Sequence, residues 1–330
     1  MKEVLNTLIG HRPLSKETAR EVLINLASGK YNPSQMSAFM TVYMMRAITL
    51  DELRGFRDAM LELCVPVKFD APVMDVCGTG GDGKNTFNIS TLSSFVVAAV
   101  GQPVAKHGNY GVSSVSGSSN VLEYFGYKFS NNIDHLKKSL HEANIFFMHA
   151  PLFHPAMKNV APIRKELGVK TFFNMLGPMV NPAFPPRQLV GVFNLELARL
   201  YGYMYQDLKK DFVVLHDLQG YDEISLTGPF KVFTNQGECL LEPADLGLNE
   251  VDPSEIKGGR SVEESAEIFM KIISGKGTPS QNSVVAANAG MSLSAGNKDK
   301  NIKQHIEHAL EVLKSGRALE CFKKLMATQN

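Results

Sequence analysis

The residues best suited to chemistry begin just after Cys77, where Gly78-Thr79-Gly80-Gly81-Asp82-Gly83 places four glycines in six positions. Glycine has no Cβ, so consecutive backbone N–H groups can approach an anion closely and take the positive φ angles that form an anion-binding concavity. The run follows Val73-Met74-Asp75-Val76-Cys77, which reads as a buried strand, and ligands in open α/β sheets bind beyond the carboxyl ends of strands. Asn88-Ile89-Ser90-Thr91 then opens an apolar helix. Ser90 and Thr91 therefore stand at a helix N-terminus, whose unpaired N–H groups and dipole favour phosphate. An isolated glycine cluster would serve equally well as a plain turn, so its neighbours decide the reading.

Two familiar nucleotide motifs do not fit. A P-loop needs Ser or Thr directly after its lysine, and Asn85 follows Lys84. Gly78, Gly80 and Gly83 satisfy the dinucleotide-binding spacing formally, but Asp82 inside the loop would repel a dinucleotide pyrophosphate unless a metal intervened. A second polar segment follows the next strand: Lys106-His107-Gly108-Asn109, then Ser113-Ser114 and Ser116-Gly117-Ser118-Ser119-Asn120. Its lysine offers a point charge, and its hydroxyls and a helix start at Gly117 offer a second phosphate site. Asp222-Glu223 is a carboxylate pair that charge patterning alone would leave as a solvated loop.

Together these segments resemble the anthranilate phosphoribosyltransferases, whose motifs occur in this order and at similar spacing. The match extends through His154-Pro155-Ala156-Met157-Lys158, Ala161-Pro162-Ile163-Arg164, Phe173-Asn174-Met175-Leu176-Gly177-Pro178, Asn181-Pro182 and Gly220-Tyr221-Asp222-Glu223. The resemblance implies transfer of the phosphoribosyl group of phosphoribosyl pyrophosphate to the amine of anthranilate, in tryptophan biosynthesis. By motif, Gly78, Thr79, Gly80, Gly81, Asp82, Thr86, Asn88, Ser90, Thr91, Lys106, Ser114 and Ser118 would hold phosphoribosyl pyrophosphate. Ser90, Asp222 and Glu223 would bind Mg2+, two ions suiting two adjacent carboxylates. Arg164 would pair with the anthranilate carboxylate, and Gly78, Asn109, His107 and His154 would line the acceptor site. The chain departs from the family pattern at Tyr110, where arginine is common, and at Ser119-Asn120, where Ala-Asp is common.

The elements that must position these residues fall into two textures. Residues 1–68 read as a small helical domain: Ser15 caps one helix, Asn32-Pro33-Ser34-Gln35 opens another, and Thr49-Leu50-Asp51-Glu52 is a capping box. Apolar residues recur there at helical spacing, as in Val22, Leu23 and Leu26, and in Phe39, Met40, Tyr43 and Met44. Residues 72–330 read as an α/β domain, with strand-like runs at 73–77, 103–106, 145–148, 188–193 and 212–215 between helical stretches. Ile224-Ser225-Leu226 and 231–241 read as antiparallel strands, so the central sheet is expected to be mixed but mostly parallel. The expected class is α/β of the nucleoside phosphorylase/phosphoribosyltransferase type. The resemblance further implies that helices near 158–180 complete the small domain, that the site lies between the domains, and that the protein is a homodimer through the helical domain.

Composition sets limits. The chain has 330 residues and a formal net charge of +1, which argues against nucleic acid as a main partner. No apolar run approaches the roughly 18 residues of a membrane span, and the N-terminus lacks a signal-peptide layout. A cytoplasmic protein without a membrane partner is expected. Cys64, Cys77, Cys239 and Cys321 are too dispersed for a disulfide framework or zinc site. Two rivals stand beside the transferase: a pyrimidine nucleoside phosphorylase, and a non-catalytic nucleic-acid-binding relative of the same fold. Asp222-Glu223 and the glycine loop favour the metal-dependent transferase.

Overall fold

A computed structural model describes residues 1–111, 115–296 and 301–329. The chain divides into two compact units, residues 1–67 with 150–184, and residues 68–149 with 185–330.

The first unit is helical. Its helices Lys16–Ala27, Pro33–Met45 and Leu50–Leu63 start where the sequence signals them: Ser15 Oγ accepts from Thr18 N, and capping boxes close at Asn32/Gln35 and Thr49/Glu52. Val22, Leu23, Leu26, Phe39, Met40 and Tyr43 are buried, whereas Met44, which shares their spacing, is exposed. Gly55 allows a close crossing, since a Cβ there would strike Ala19 and the backbone of Lys16 and Arg20. The returning segment carries helices Ala161–Leu167 and Phe173–Leu176. Val65 N donates to Phe153 O and Val67 N to Pro182 O, and the Phe172 ring stacks on Phe56 with centroids 4.6 Å apart. Burying such rings supplies much of the attraction that seats the segment.

The second unit has the mixed, mostly parallel sheet expected of its class. Its described strands are β1 (Met74–Gly78), β2 (Val104–Gly108), β3 (Ile145–His149), β4 (Arg187–Gly191), β5 (Asp211–Asp217), β6 (Phe230–Thr234) and β7 (Gly237–Leu241), in the order β3-β2-β1-β4-β5-β6-β7. Pairing is parallel from β3 through β5 and antiparallel for β6 and β7. The strand order reverses between β1 and β4, the crevice where open α/β sheets bind ligands. Helices Ile89–Val100 and Pro279–Ser294 cover the sheet, with Phe95, Val96, Val97, Val284 and Val285 in one core.

Ile224-Ser225-Leu226 is not a strand. Leu226 takes a left-handed φ of 61°, and the N–H groups of Ile224 and Ser225 donate to the side chains of Asn288 and Asp217. Side-chain acceptors replace the ladder here. Arg317–Ala327 forms a further helix. None of the described helices is long and apolar enough to cross a membrane.

Candidate active site

The glycine loop leaves β1 and turns at Gly80, Gly81 and Gly83, all at left-handed φ between 65° and 80°. Gly78 and Gly191 are paired at the ends of β1 and β4, and Thr79 N donates to Gly191 O at 2.9 Å. Together they make a floor without side chains. A Cβ on Gly78 would press on the Asp222 carboxylate, and one on Gly191 would overlap the Asp222 backbone carbonyl. Asp222 Oδ2 accepts from Gly80 N at 2.6 Å, so the carboxylate is drawn directly into the loop.

Glu223 meets the neighbouring wall: its Oε1 accepts from Ser90 N at 2.8 Å, at the start of the helix Ile89–Val100. Burial and repulsion from Glu223 and Asp82 push the Asp222 carboxyl well above the usual carboxylate range. Burial likewise pushes Glu223 up to about 7, against the Ser90 hydrogen bond. Asp222 and Glu223 thus sit where burial disfavours their charge, which is the electrostatic condition a cation relieves. Among the described residues no three His, Cys, Asp or Glu side chains form a closed metal cage. Magnesium fits such an open set, because it binds through one or two carboxylates and completes its shell with water and substrate phosphate oxygens.

Lys106 stands at the sheet's core rather than in the loop. Its side chain is buried and donates through Nζ to Val76 O at 2.6 Å. Burial lowers its pKa, while Asp75, Cys77, Glu223 and Asp222 favour its charge. Its charge therefore reaches the acids as a field under the loop. Asp82 Oδ1 accepts from Lys84 N, and Lys84 Nζ lies 4.8 Å from the Tyr221 ring centre.

The second segment is joined to the first. Asn88, which precedes the helix, does not cap it with its side chain; Nδ2 donates instead to Ser116 O at 2.9 Å. Thr86 bridges to Lys257 through the backbone, and Thr91 is buried. Asn120 Oδ1 accepts from both Gly111 N and Gly117 N at 3.0 Å, drawing the two sides of the loop together. Ser118 Oγ donates to Asn109 O at 3.4 Å. Ser114 lies outside the described residues. His107 sits at the end of β2, its N–H 3.4 Å from Asp75 Oδ1, and Asn109 is exposed. The departures at Tyr110 and Ser119 meet at one imidazole: the Tyr110 ring packs edge-on against His149, Ser119 Oγ is 2.9 Å from His149 Nδ1, and Tyr110 OH donates to Glu123.

In the helical unit, Arg164 lies over the Phe173 ring and donates to Asn174 Oδ1 at 3.4 Å, while burial lowers its pKa. His154 is buried, with Nε2 donating to Val180 O at 3.0 Å. Burial lowers its pKa to about 4, so the ring is neutral and acts as a strut.

Two contributors, Gly191 and Ser116, escape motif reasoning. Gly191 had a signal, a lone glycine inside a strand pattern, which marks close backbone approach. Thr79 Oγ1 and Ser116 Oγ are buried hydroxyls without a hydrogen-bond partner among the described residues. Thr79 belongs to the loop motif, but nothing in the sequence sets Ser116 apart from the serines around it.

The helical bundle domain of a glycosyl transferase family matches residues 2–64, and that family's a/b domain matches residues 70–319. An anthranilate phosphoribosyltransferase of Flavobacterium johnsoniae is 61% identical over 326 residues, covering 98% of each chain. The crystal structure of anthranilate phosphoribosyltransferase from Thermus thermophilus superposes with a TM-score of 0.91 at 34% identity, again covering 98% of each chain. The Saccharomyces cerevisiae enzyme in complex with PRPP and Mg gives a TM-score of 0.89 at 26% identity, covering 98% of this chain and 96% of that one. Agreement that spans both domains, and identity this high along nearly the whole length, place the chain in the anthranilate phosphoribosyltransferase family.

Proposed function

We propose that this chain transfers the phosphoribosyl group of phosphoribosyl pyrophosphate to the amine of anthranilate, releasing pyrophosphate. The observation that carries the reading is the Asp222–Glu223 pair, seated on Gly78 and Gly191 and bonded to Gly80 N and Ser90 N. That pair favours the transferase over a phosphorylase or a nucleic-acid binder.

Asp222 and Glu223, with Ser90, would hold magnesium, as the yeast relative holds Mg with PRPP; two ions per site suit the pair. Bound there, the metal neutralises the charge that develops on the leaving pyrophosphate. Gly78 to Asp82 would wrap the pyrophosphate as a loop, its Thr79 and Gly80 N–H groups being held by Gly191 O and Asp222 Oδ2, with Thr86, Asn88, Ser90 and Thr91 lining the helix start. Ser118 and Ser114 would complete the anion site, and Lys106 would add its field from below. Arg164 would take the anthranilate carboxylate in a bidentate grip, with Gly78, Asn109 and His107 lining the acceptor and His154 supporting it from within the helices.

In the reaction the bond between ribose C1 and pyrophosphate breaks as the amine nitrogen forms its bond to that carbon, and the nitrogen then gives up one proton to solvent. The amine is the nucleophile, so no protein nucleophile is needed. Orientation of the two substrates and stabilisation of leaving-group charge supply the acceleration. We further propose a cytoplasmic homodimer joined through the helical unit, where Ile9, Met44 and Met45 are exposed.

The test is direct. Enzyme, Mg2+, phosphoribosyl pyrophosphate and anthranilate should together extinguish anthranilate fluorescence, and omitting either Mg2+ or the phosphoribosyl donor should prevent the loss. Phosphorolysis of thymidine or uridine, with anthranilate untouched, would establish the phosphorylase instead. Light scattering at twice the chain mass would support the dimer, and a monomer would exclude it.

A further inference from the structure

Asp222 and Glu223 sit on a connection that has no helix or strand of its own, running from the end of β5 at Asp217 to the start of β6 at Phe230. Two buried side chains outside the proposed ligand set hold it. The Asp217 carboxylate accepts from Gln219 N at 2.8 Å, from Ser225 N at 3.1 Å and from Ser225 Oγ at 2.5 Å. It therefore closes the base of the loop across the acidic pair. Asn288, on the helix Pro279–Ser294, takes the residue directly after Glu223 from both sides. Its Oδ1 accepts from Ile224 N at 3.0 Å, and its Nδ2 donates to Ile224 O at 2.8 Å and to Val284 O at 2.9 Å.

These bonds do more than satisfy a loop. Asp217 and Asn288 are both fully or almost fully buried, where each bond is strong and each loss leaves an unpaired group. Left-handed Leu226 follows the clamp directly. The clamp fixes the backbone on each side of the pair, and the glycine floor limits its travel toward the sheet.

We propose that Asp217 and Asn288 are positioning residues for the magnesium site, setting the separation and direction of the Asp222 and Glu223 carboxylates without touching metal or substrate. The proposal rests on the reading of that pair as the magnesium site. Magnesium demands near-ideal octahedral geometry, and outer partners of metal ligands typically contribute about 10- to 100-fold in affinity.

The experiment uses full-length Asp217→Asn, which keeps side-chain size but turns an amide donor toward donors. Mn2+ binding in the presence of phosphoribosyl pyrophosphate is followed by the EPR signal of free Mn2+, beside the Mg2+ dependence of turnover. The expected result is at least about a tenfold weaker metal affinity, with the same shift in the Mg2+ midpoint and most of kcat regained at saturating Mg2+. Asn288→Ala should shift both readouts in the same direction. An unchanged metal affinity in a folded Asp217→Asn protein overturns the proposal. Should that variant fail to fold, Ser225→Ala removes one donor to Asp217 and keeps both backbone donors; no shift there overturns the proposal equally. Glu223→Ala separates the two failures. If it weakens metal binding while the clamp variants do not, the positioning role alone is wrong; if it too has no effect, the magnesium site itself is wrong.

Discussion

The backbone N–H of Ser90 donates to Glu223 Oε1 at 2.8 Å, so the positive end of the helix Ile89–Val100 faces a carboxylate before it faces any ligand. A phosphate approaching that end meets an acid already in place. Two negative groups placed so close repel unless a cation lies between them, so the helix end and the acid work as one device.

Glu223→Gln keeps the shape of that device and removes its charge. It should raise the Mg2+ concentration for half-maximal turnover by more than about 100-fold, beyond the range for losing an outer partner of a metal ligand. Unchanged magnesium dependence would exclude Glu223 as a ligand.

Gly191→Ala tests the floor. The added methyl would overlap the Asp222 carbonyl, pushing the acidic loop off the sheet edge. Misplacing a catalytic group by about 1 Å can cost on the order of 100-fold, so kcat/KM should fall by about that much while the circular dichroism spectrum is retained. Gly177→Ala, whose Cβ would meet nothing within 4 Å, is the matched control and should leave kcat/KM unchanged.

Arg164→Ala should act on one substrate. Loss of a charge-assisted bond of about 1.5–3 kcal/mol predicts a roughly 10- to 100-fold rise in KM for anthranilate, read from initial rates. KM for phosphoribosyl pyrophosphate should stay within about twofold of its starting value, since the loss is confined to anthranilate binding. Equal effects on both would remove the carboxylate-binding role.

Glu52 tests stability in the helical unit. Its buried side chain accepts from Leu14 N, Tyr43 OH, Thr49 N and Oγ1, and Arg46. Burial opposes its charge, but Arg46 and these donors hold its pKa below the usual carboxylate range. Its contribution is therefore present above the ordinary carboxylate value and is lost as pH falls through the lowered one. Glu52→Ala, which leaves Arg46 without its partner, should cost about 3–5 kcal/mol in urea unfolding at neutral pH, with a smaller deficit under strong acid.

Much of the fold was legible because its signals are local. Ser15, Asn32 and Thr49 cap helices by rules that involve neighbouring residues only, and the glycine run announces its conformation by lacking side chains. The strand assigned to Ile224–Leu226 failed because its hydrogen-bond partners, Asp217 and Asn288, lie elsewhere in the sequence. The buried ammonium of Lys106 was hidden for the same reason: its acceptor, Val76 O, belongs to a neighbouring strand that only the sheet brings near. The motif supplied the residue types, and packing decided which groups were already engaged.

The reversal of direction between β5 and β6 settles where the acids can be. Because Asp217 and Phe230 are partners across an antiparallel pair, the chain leaves and re-enters the sheet at the same edge. A parallel sixth strand would have required a crossover of about a dozen residues or more to the far end of the sheet, carrying Asp222 and Glu223 away from the glycine loop. One inverted strand keeps the acidic pair and the glycine loop at a single rim.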